Sequence, residues 1–452
     1  MMRRRIPVWS AIAVSLLITS ATTPGAQARK VQALVGGTLI DGYGGPLLRH
    51  SVVLIEGERI AAVGQVGTLK VPLGAEVLST EGMSVLPGLW DAHVHLDIDG
   101  HAAYDHWNRT YAALQDTIIK PASAKQLLLA GVTSARDLGG DLEGSLSVRD
   151  RINAGKLPGA TMYVAGPFLQ HEPYPGEEAY RWGIKGPEDA RAKVVKLVKA
   201  GVNIIKLIDQ DQMTLEEVQA IVDQAHALHT PVTAHAHRPD EIRRGLAAGV
   251  DGFEHTGLGT APEYPPDIIA ALRERTANTS RGPLYWTPTV APILTYEYFI
   301  QNPEALDDPA WHEGLTPEII ADIRASIEHP EQIAYYQMVR ARRPTIARKF
   351  NQLREAGVTL LVGTDSGVPL MFHSHSTWRE MDAWVNTLGV DAMTTIRAAT
   401  YWPAVAMGVE KDSGTVSPGK YADIIAVRGD VLRNIGLLQS VNIVIHRGVR
   451  YK

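Results

Sequence analysis

Apolar and polar residues alternate with period two near both ends of the chain. Ser51-Val52-Val53-Leu54-Ile55 and Arg59-Ile60-Ala61-Ala62-Val63 flank Glu56-Gly57-Glu58, which predicts a hairpin. Towards the other end, residues 422–427 and 441–445 repeat that pattern after the turn-rich Gly414-Thr415-Val416-Ser417-Pro418-Gly419-Lys420. Neither end supplies enough strands for a closed core. Residues 29–86 and 411–452 are therefore expected to build one small β-sandwich subdomain together.

The middle of the chain changes period. Short apolar runs ending near His95, Asp137, Phe168, Ile208, His237, His255, Val290 and Asp365 alternate with helical patterns. Residues 187–199 carry Pro187 at a first helical turn, and Thr214-Leu215-Glu216-Glu217 opens the next helix with a capping box. Gly201 and Gly249 stand where helices should stop. Eight strands alternating with helices over residues 87–410 predict an α/β fold, a (β/α)8 TIM-like barrel. A doubly wound open sheet is the alternative, but no glycine-rich dinucleotide loop follows the first strand of the middle region. Residues 291–350 make too long a connection for a plain barrel. This insert is expected to overhang the C-terminal ends of the strands, as a lid or as a packing excursion.

Composition narrows the function. The chain has 452 residues, a net charge of −5 and no basic block outside its start, so nucleic acid is not an expected partner. Met1-Met2-Arg3-Arg4-Arg5, an apolar run from about Val8 to Thr19, and Ala26-Gln27-Ala28 together read as a secretory signal peptide over 1–28. Its removal takes away three arginines and no acid, moving the net charge from −5 to −8. The run is too short for a comfortable membrane span. The chain has no cysteine, so it has neither disulfides nor a lipid-modified cysteine. The expected location is periplasmic or secreted, without a membrane anchor. The oligomeric state stays open, a homo-oligomer included.

Barrel chemistry sits at the C-terminal strand ends. Those ends offer His93 and His95, Lys206, His235 with His237, His255, and Asp365. His93 and His95 lie two apart on a strand, so both rings point the same way and can share one metal ion. Each residue also has a plainer reading. A lone strand-end histidine is often just hydrogen-bonded, and Asp365 could cap a helix. Lys206 lies within Val202-Asn203-Ile204-Ile205-Lys206-Leu207-Ile208, and burying an ammonium is costly. Burial would favour its neutral amine, which can add carbon dioxide and bridge two metals as a carbamate. Pairing with a buried acid, or snorkelling, is the alternative.

Taken together the chain resembles the amidohydrolase superfamily. The marks are Pro87-Gly88-Leu89-Trp90-Asp91-Ala92-His93-Val94-His95, Gly131-Val132-Thr133-Ser134-Ala135-Arg136-Asp137, the Lys206 strand, both later histidines, Gly363-Thr364-Asp365-Ser366-Gly367, and residues 414–423. The branch it is most similar to is the imidazolonepropionase-related one, with its Xaa-Pro dipeptidase-like members. Lys206 argues against imidazolonepropionase activity itself, because those enzymes are mononuclear and lack the bridging lysine. The resemblance implies that His93, His95 and Asp365 hold one divalent metal and His235 and His255 a second, both zinc by expectation. Lys206 would bridge them as a carbon dioxide-derived carbamate, beside a bridging hydroxide. Asp365 would be the catalytic proton carrier. The implied activity is hydrolysis of an amide bond in a small-molecule substrate, a dipeptide or N-acyl amino acid. A cyclic-amide or lactone hydrolase is the alternative, and a non-catalytic periplasmic binding protein is the rival of another class.

Many relatives carry a Gly-Gly-His element after the third strand, where this chain has Phe168-Leu169-Gln170-His171-Glu172-Pro173-Tyr174-Pro175-Gly176. His237 and Arg238 are the residues expected to touch substrate, with Arg340, Arg342, Arg343, Tyr335, Tyr336, His171, His373 and His375 behind them. One prediction concerns export. N-terminal sequencing of exported protein should begin at Arg29, and retention of Met1 would refute the signal.

Overall fold

The computed structural model of the protein describes residues 31–257 and 259–452, so the signal peptide expected over 1–28 lies outside the described residues. Six strands come first: β1 (Val31–Val35), β2 (Thr38–Leu39), β3 (Ser51–Glu56), β4 (Arg59–Gln65), β5 (Glu76–Ser79) and β6 (Met83–Pro87). The predicted hairpin is β3 against β4, antiparallel. One sheet has the order β4-β3-β1-β5. The C-terminal strands β17 (Ile424–Arg428), β18 (Ile443–His446) and β19 (Val449–Arg450) join a second sheet of order β19-β18-β17-β6-β2. Ile425 pairs with Leu86 across its antiparallel centre. Leu34, Val53 and Ile55 from the first sheet share one buried core with Val85, Ile424 and Ile445 from the second. Apolar residues at alternate strand positions are what let two half-sheets bury one face each.

The remaining strands run parallel: β7 (Leu89–Val94), β8 (Val132–Asp137), β9 (Thr161–Val164), β10 (Phe168–Gln170), β11 (Arg181–Gly183), β12 (Ile205–Leu207), β13 (Val232–His235), β14 (Gly252–Glu254), β15 (Tyr285–Thr287) and β16 (Thr359–Leu360). They form two sheets, β7-β8-β9 and β11-β10-β12-β13-β14-β15-β16. Backbone hydrogen bonds cross both seams. Asn203 N donates to Val164 O at 2.8 Å between β9 and the approach to β12. At the other seam Ala92 N donates to Val362 O at 2.9 Å and Asp365 N to His93 O at 2.7 Å. Residues 87–365 thus show the alternating α/β order that the pattern predicts.

Local signals fix several helices. Helix Pro187–Ala200 begins with its proline and ends at Gly201 in the left-handed region. Helix Leu215–Ala227 has both hydrogen bonds of the Thr214/Glu217 capping box. The third expected strand end differs. β9 stops at Val164, and Phe168 starts rather than ends a strand, the extra strand β10, which lies between β11 and β12 and pairs with both. The long connection holds helices Ala291–Gln301, Pro317–Ser326 and Ala334–Arg342. No helix among the described residues is long and apolar enough to cross a membrane.

Gly88 joins the β6 sheet to the ring strand β7, and Thr133 of β8 closes over it. A Cβ on Gly88 would lie 2.1 Å from Thr133 Oγ1 and 2.2 Å from Thr133 Cγ2. Gly88→Ala should therefore lose about 1–3 kcal/mol of stability by overpacking. Adding Thr133→Ala should recover part of that loss in denaturant melts. Simple additivity of the two losses would show that the clash is not the cause.

Candidate metal centre

The ends of β7, β12, β13 and β14 and the segment after β16 converge on one point. His93 Nε2 lies 3.3 Å from His95 Nε2. Asp365 Oδ1 lies 3.4 Å from His93 Nε2 and 3.2 Å from His95 Nε2. Ligand-capable atoms of His93, His95 and Asp365 all fall within 4.8 Å of one another, and so do those of His235, His237 and His255. The two groups touch. His93 and His255 rings are 4.8 Å apart, and His255 Nδ1 is 3.9 Å from Asp365 Oδ2.

Lys206 is fully buried, and its Nζ has no hydrogen-bond partner among the described residues. Burial draws its pKa down to about 8, although Glu254 and Asp365 pull it the other way. It stands on β12 opposite Thr233 of β13, the strand that ends at His235, and its charge is felt by His93, His235, His255 and Asp365. The histidines are held neutral. Burial takes His93 to about 4 and His237 to about 3, and takes His235 and His255 well below the ordinary range. His95 differs, because Asp365 overcomes its burial and raises it. Asp365 is itself buried, yet His93 and His95 hold its carboxyl well below the usual range.

This donor set fits divalent metal ions. The Nδ1 atoms of His235 and His237 are buried without partners, like Lys206 Nζ. Orphaned buried polar atoms are expensive, and lone pairs on neutral imidazoles are what zinc-like ions take. His255 and Asp365 also sit at positive φ, 75° and 58°. Such backbone strain, roughly 1–3 kcal/mol per residue, concentrates at functional sites.

A second layer orients these groups. Glu254 Oε2 lies 2.9 Å from His93 Nδ1, and its Oε1 accepts from Arg136 at 2.9 Å and Thr233 Oγ1 at 2.6 Å. Burial raises the Glu254 pKa, but Arg136 and His93 outweigh it and bring it to about 2. The ionised carboxylate accepts a hydrogen bond from Nδ1–H of His93 and leaves its Nε2 lone pair facing the centre. Asp91 accepts from the His93 and Thr364 amides, both at 3.1 Å, and from Thr364 and Thr377 hydroxyls at 2.8 and 2.7 Å. His255 Nδ1 meets Thr289 Oγ1 at 2.9 Å.

A cavity of about 230 Å³ opens onto the centre, lined in part by His95, Asp97, Tyr104, Phe168, Arg181 and Tyr335. Tyr335 comes from the long connection, so that segment borders the site. A larger hollow of about 570 Å³ lies by His226, Arg275 and Met407, away from this cluster.

The structure brings together His93, His95, Lys206, His235, His255 and Asp365, and adds His237 to the second group. Arg238 does not line the cavity. Its guanidinium is engaged by Asp209, Asp211 and Glu241 at 2.7, 2.7 and 2.9 Å. His373 bonds Ser366 and the Ile98 carbonyl, and His375 pairs with Asp308. Arg343 lies 3.6 Å from Glu297, Arg342 meets Met338 Sδ, and Tyr336 stacks on Tyr296. His171 is exposed. Sequence reasoning passed over Asp91, Glu254 and Arg181. Asp91 could have been found, since it shares the period-two face of His93 and His95.

Residues 84–449 match the model of the Amidohydrolase family. Ochratoxinase from Aspergillus niger is 26% identical over 463 residues, spanning 92% of this chain and 85% of that protein. A crystal structure of a Xaa-Pro dipeptidase with methionine bound in its active site is 25% identical, with a TM-score of 0.70, covering 94% of this chain and 100% of that one. The crystal structure of A. niger ochratoxinase superposes with a TM-score of 0.69 at 24% identity, covering 94% of this chain and 96% of that one.

The second layer is testable by itself. Glu254→Gln removes the charge that orients His93 while keeping the side-chain shape. Metal affinity, read by competition with a chelator, should fall about ten- to a hundred-fold. Unchanged affinity would make Glu254 a packing group only.

Proposed function

The chain belongs to the amidohydrolase family, and on that premise we propose that it hydrolyses an amide bond in a dipeptide or N-acyl amino acid with two divalent metal ions. The observation that carries this reading is Lys206, a buried amine with no partner among the described residues, on the strand beside the one that ends at His235 and felt by His93, His235, His255 and Asp365. A neutral amine in that place can take up carbon dioxide, and the resulting carbamate offers two oxygens where two cations need a shared anion. His93, His95 and Asp365 would hold one ion, His235 and His255 the other, with His237 beside them. When bound, such a pair, zinc by expectation, supplies Lewis acidity to a carbonyl and lowers the pKa of water.

The chain's own groups do the rest. Asp365 is kept ionised by its histidine neighbours, so its carboxylate can accept a proton from the attacking water. It can return that proton to the departing amine nitrogen. Glu254 and Thr289 fix the rings of His93 and His255. Tyr104, Phe168 and Tyr335 wall the cavity and limit access of bulk water. The dipeptidase among the similar structures supports an amino-acid amide as substrate.

The same reading extends to organisation and place. Residues 29–86 with 411–452 form a β-sandwich subdomain, 87–410 form a closed (β/α)8 barrel with an insert over 291–350, and export delivers the protein to the periplasm or beyond.

Metal analysis and a panel of dipeptides and N-acyl amino acids test the activity. Hydrolysis should disappear on chelation and return with zinc. A metal-loaded protein that cleaves no member of the panel would overturn the reading. Lys206→Met tests the carbamate. It should fold with undiminished stability, because an apolar chain of similar length replaces an unpartnered amine. It should lose metal and about a hundred- to a thousand-fold in kcat. Two bound metals with near-parental turnover would end the carbamate assignment.

A further inference from the structure

We infer that Arg181 is the receptor for a carboxylate on the substrate, and that the segment from Phe168 to Gly183 exists to present it. The inference rests on the cavity being the substrate site, as proposed above. Among the described residues lining that cavity, Arg181 is the one guanidinium or ammonium group. It stands on β11 directly opposite Phe168 of β10, in parallel register, so the two side chains emerge side by side.

Its guanidinium is fixed before any ligand arrives. The carbon Cζ lies 4.4 Å from the centre of the Tyr174 ring, 5.1 Å from Phe168 and 5.8 Å from Tyr180. Nε donates to Glu177, and Nη1 donates to Gln170 Oε1 at 3.0 Å. A guanidinium carries five N–H groups, and the partners recorded among the described residues use two. Nη2 has no recorded partner among the described residues, so the guanidinium keeps donors for a carboxylate.

Position agrees with chemistry. Phe168, on which Arg181 lies, is 6.0 Å ring to ring from His95. The guanidinium is therefore one aromatic ring beyond the histidine cluster. A substrate carboxylate held there leaves its neighbouring amide among the histidines. The rival cations are placed otherwise. Arg238 is engaged by three carboxylates, and Arg340 and Arg343 do not line the cavity; Arg342 lies behind the lining, where its charge is felt by His237 and Tyr335. Phe168, Gln170, Tyr174, Glu177 and Arg181 all come from the single stretch between Phe168 and Gly183 that forms β10, β11 and their connection.

L-Phenylalanine and L-phenylalaninol test this on metal-loaded protein by titration calorimetry. They differ only in carboxylate against hydroxymethyl, and neither has an amide to cleave. The parent should prefer phenylalanine by about ten- to a hundred-fold. Arg181→Met should bring the ratio close to one with little change for phenylalaninol, and Arg181→Lys should retain part of it. Glu177→Gln should tighten phenylalanine several-fold, because it removes the carboxylate that competes for the same guanidinium; a purely structural ion pair would not give that gain. Equal binding of the two ligands by the parent, or a preference that survives Arg181→Met, would overturn the inference. Amide hydrolysis without any carboxylate preference would overturn it while leaving the proposed activity standing. An Arg181-dependent preference in a protein that cleaves no amide would do the reverse.

Discussion

The Asp91 carboxylate is the contact on which the site's assembly turns. It accepts hydrogen bonds from the His93 amide, from both the amide and hydroxyl of Thr364, and from Thr377. Those partners lie up to 286 positions away along the chain. The bonds fasten the first strand of the ring to the last. They bring Asp365 against His93 and His95, so three groups from the first and last parallel strands face one point. A buried carboxylate with four donors cannot easily be replaced by water, and its loss would leave those donors without partners.

Around that fastening the electrostatics run in one direction. Burial strips protons from His93, His235, His237 and His255, and the ionised Glu254, bound to Nδ1 of His93, leaves its Nε2 free. Strain at His255 and Asp365 is held in place by short backbone bonds, such as His255 N to Thr287 O at 2.7 Å. The folded chain keeps a set of unshared lone pairs and one bare amine in its interior. That is a poor arrangement for stability alone and a good one for gripping cations.

The sequence made the placement of most of these groups legible for a simple reason. Histidines, a lysine and an aspartate at the ends of apolar runs stay at strand ends whatever the details of packing. Period two showed that His93 and His95 share a side. The same periodicity misjudged the third strand, because Phe168 begins a separate strand after a break at Val164–Phe168 that the apolar pattern does not mark. Glu254 was invisible because its partners Arg136, Thr233 and His93 meet it only across the ring. Arg238 looked available beside His237, yet the acids that hold it lie 27 and 29 positions earlier. Arg181 needed the stacking on Phe168, Tyr174 and Tyr180, which no linear pattern announces.

The shared sheet of the two chain ends has a kinetic side. During synthesis β6 leaves the ribosome long before β17, and the two pair over a separation of about 340 residues. Contacts of such high order form late, since loop closure must be met before pairing rewards it. Until the last strands emerge, β6 has an open edge, and the strand bearing His93 hangs from it through Gly88. A chain that stops short, or is trimmed at its end, leaves that anchor unfinished and presents an unpaired strand to proteases and to its neighbours. The support beneath the strand bearing His93 is thus complete only once β17 has paired with β6.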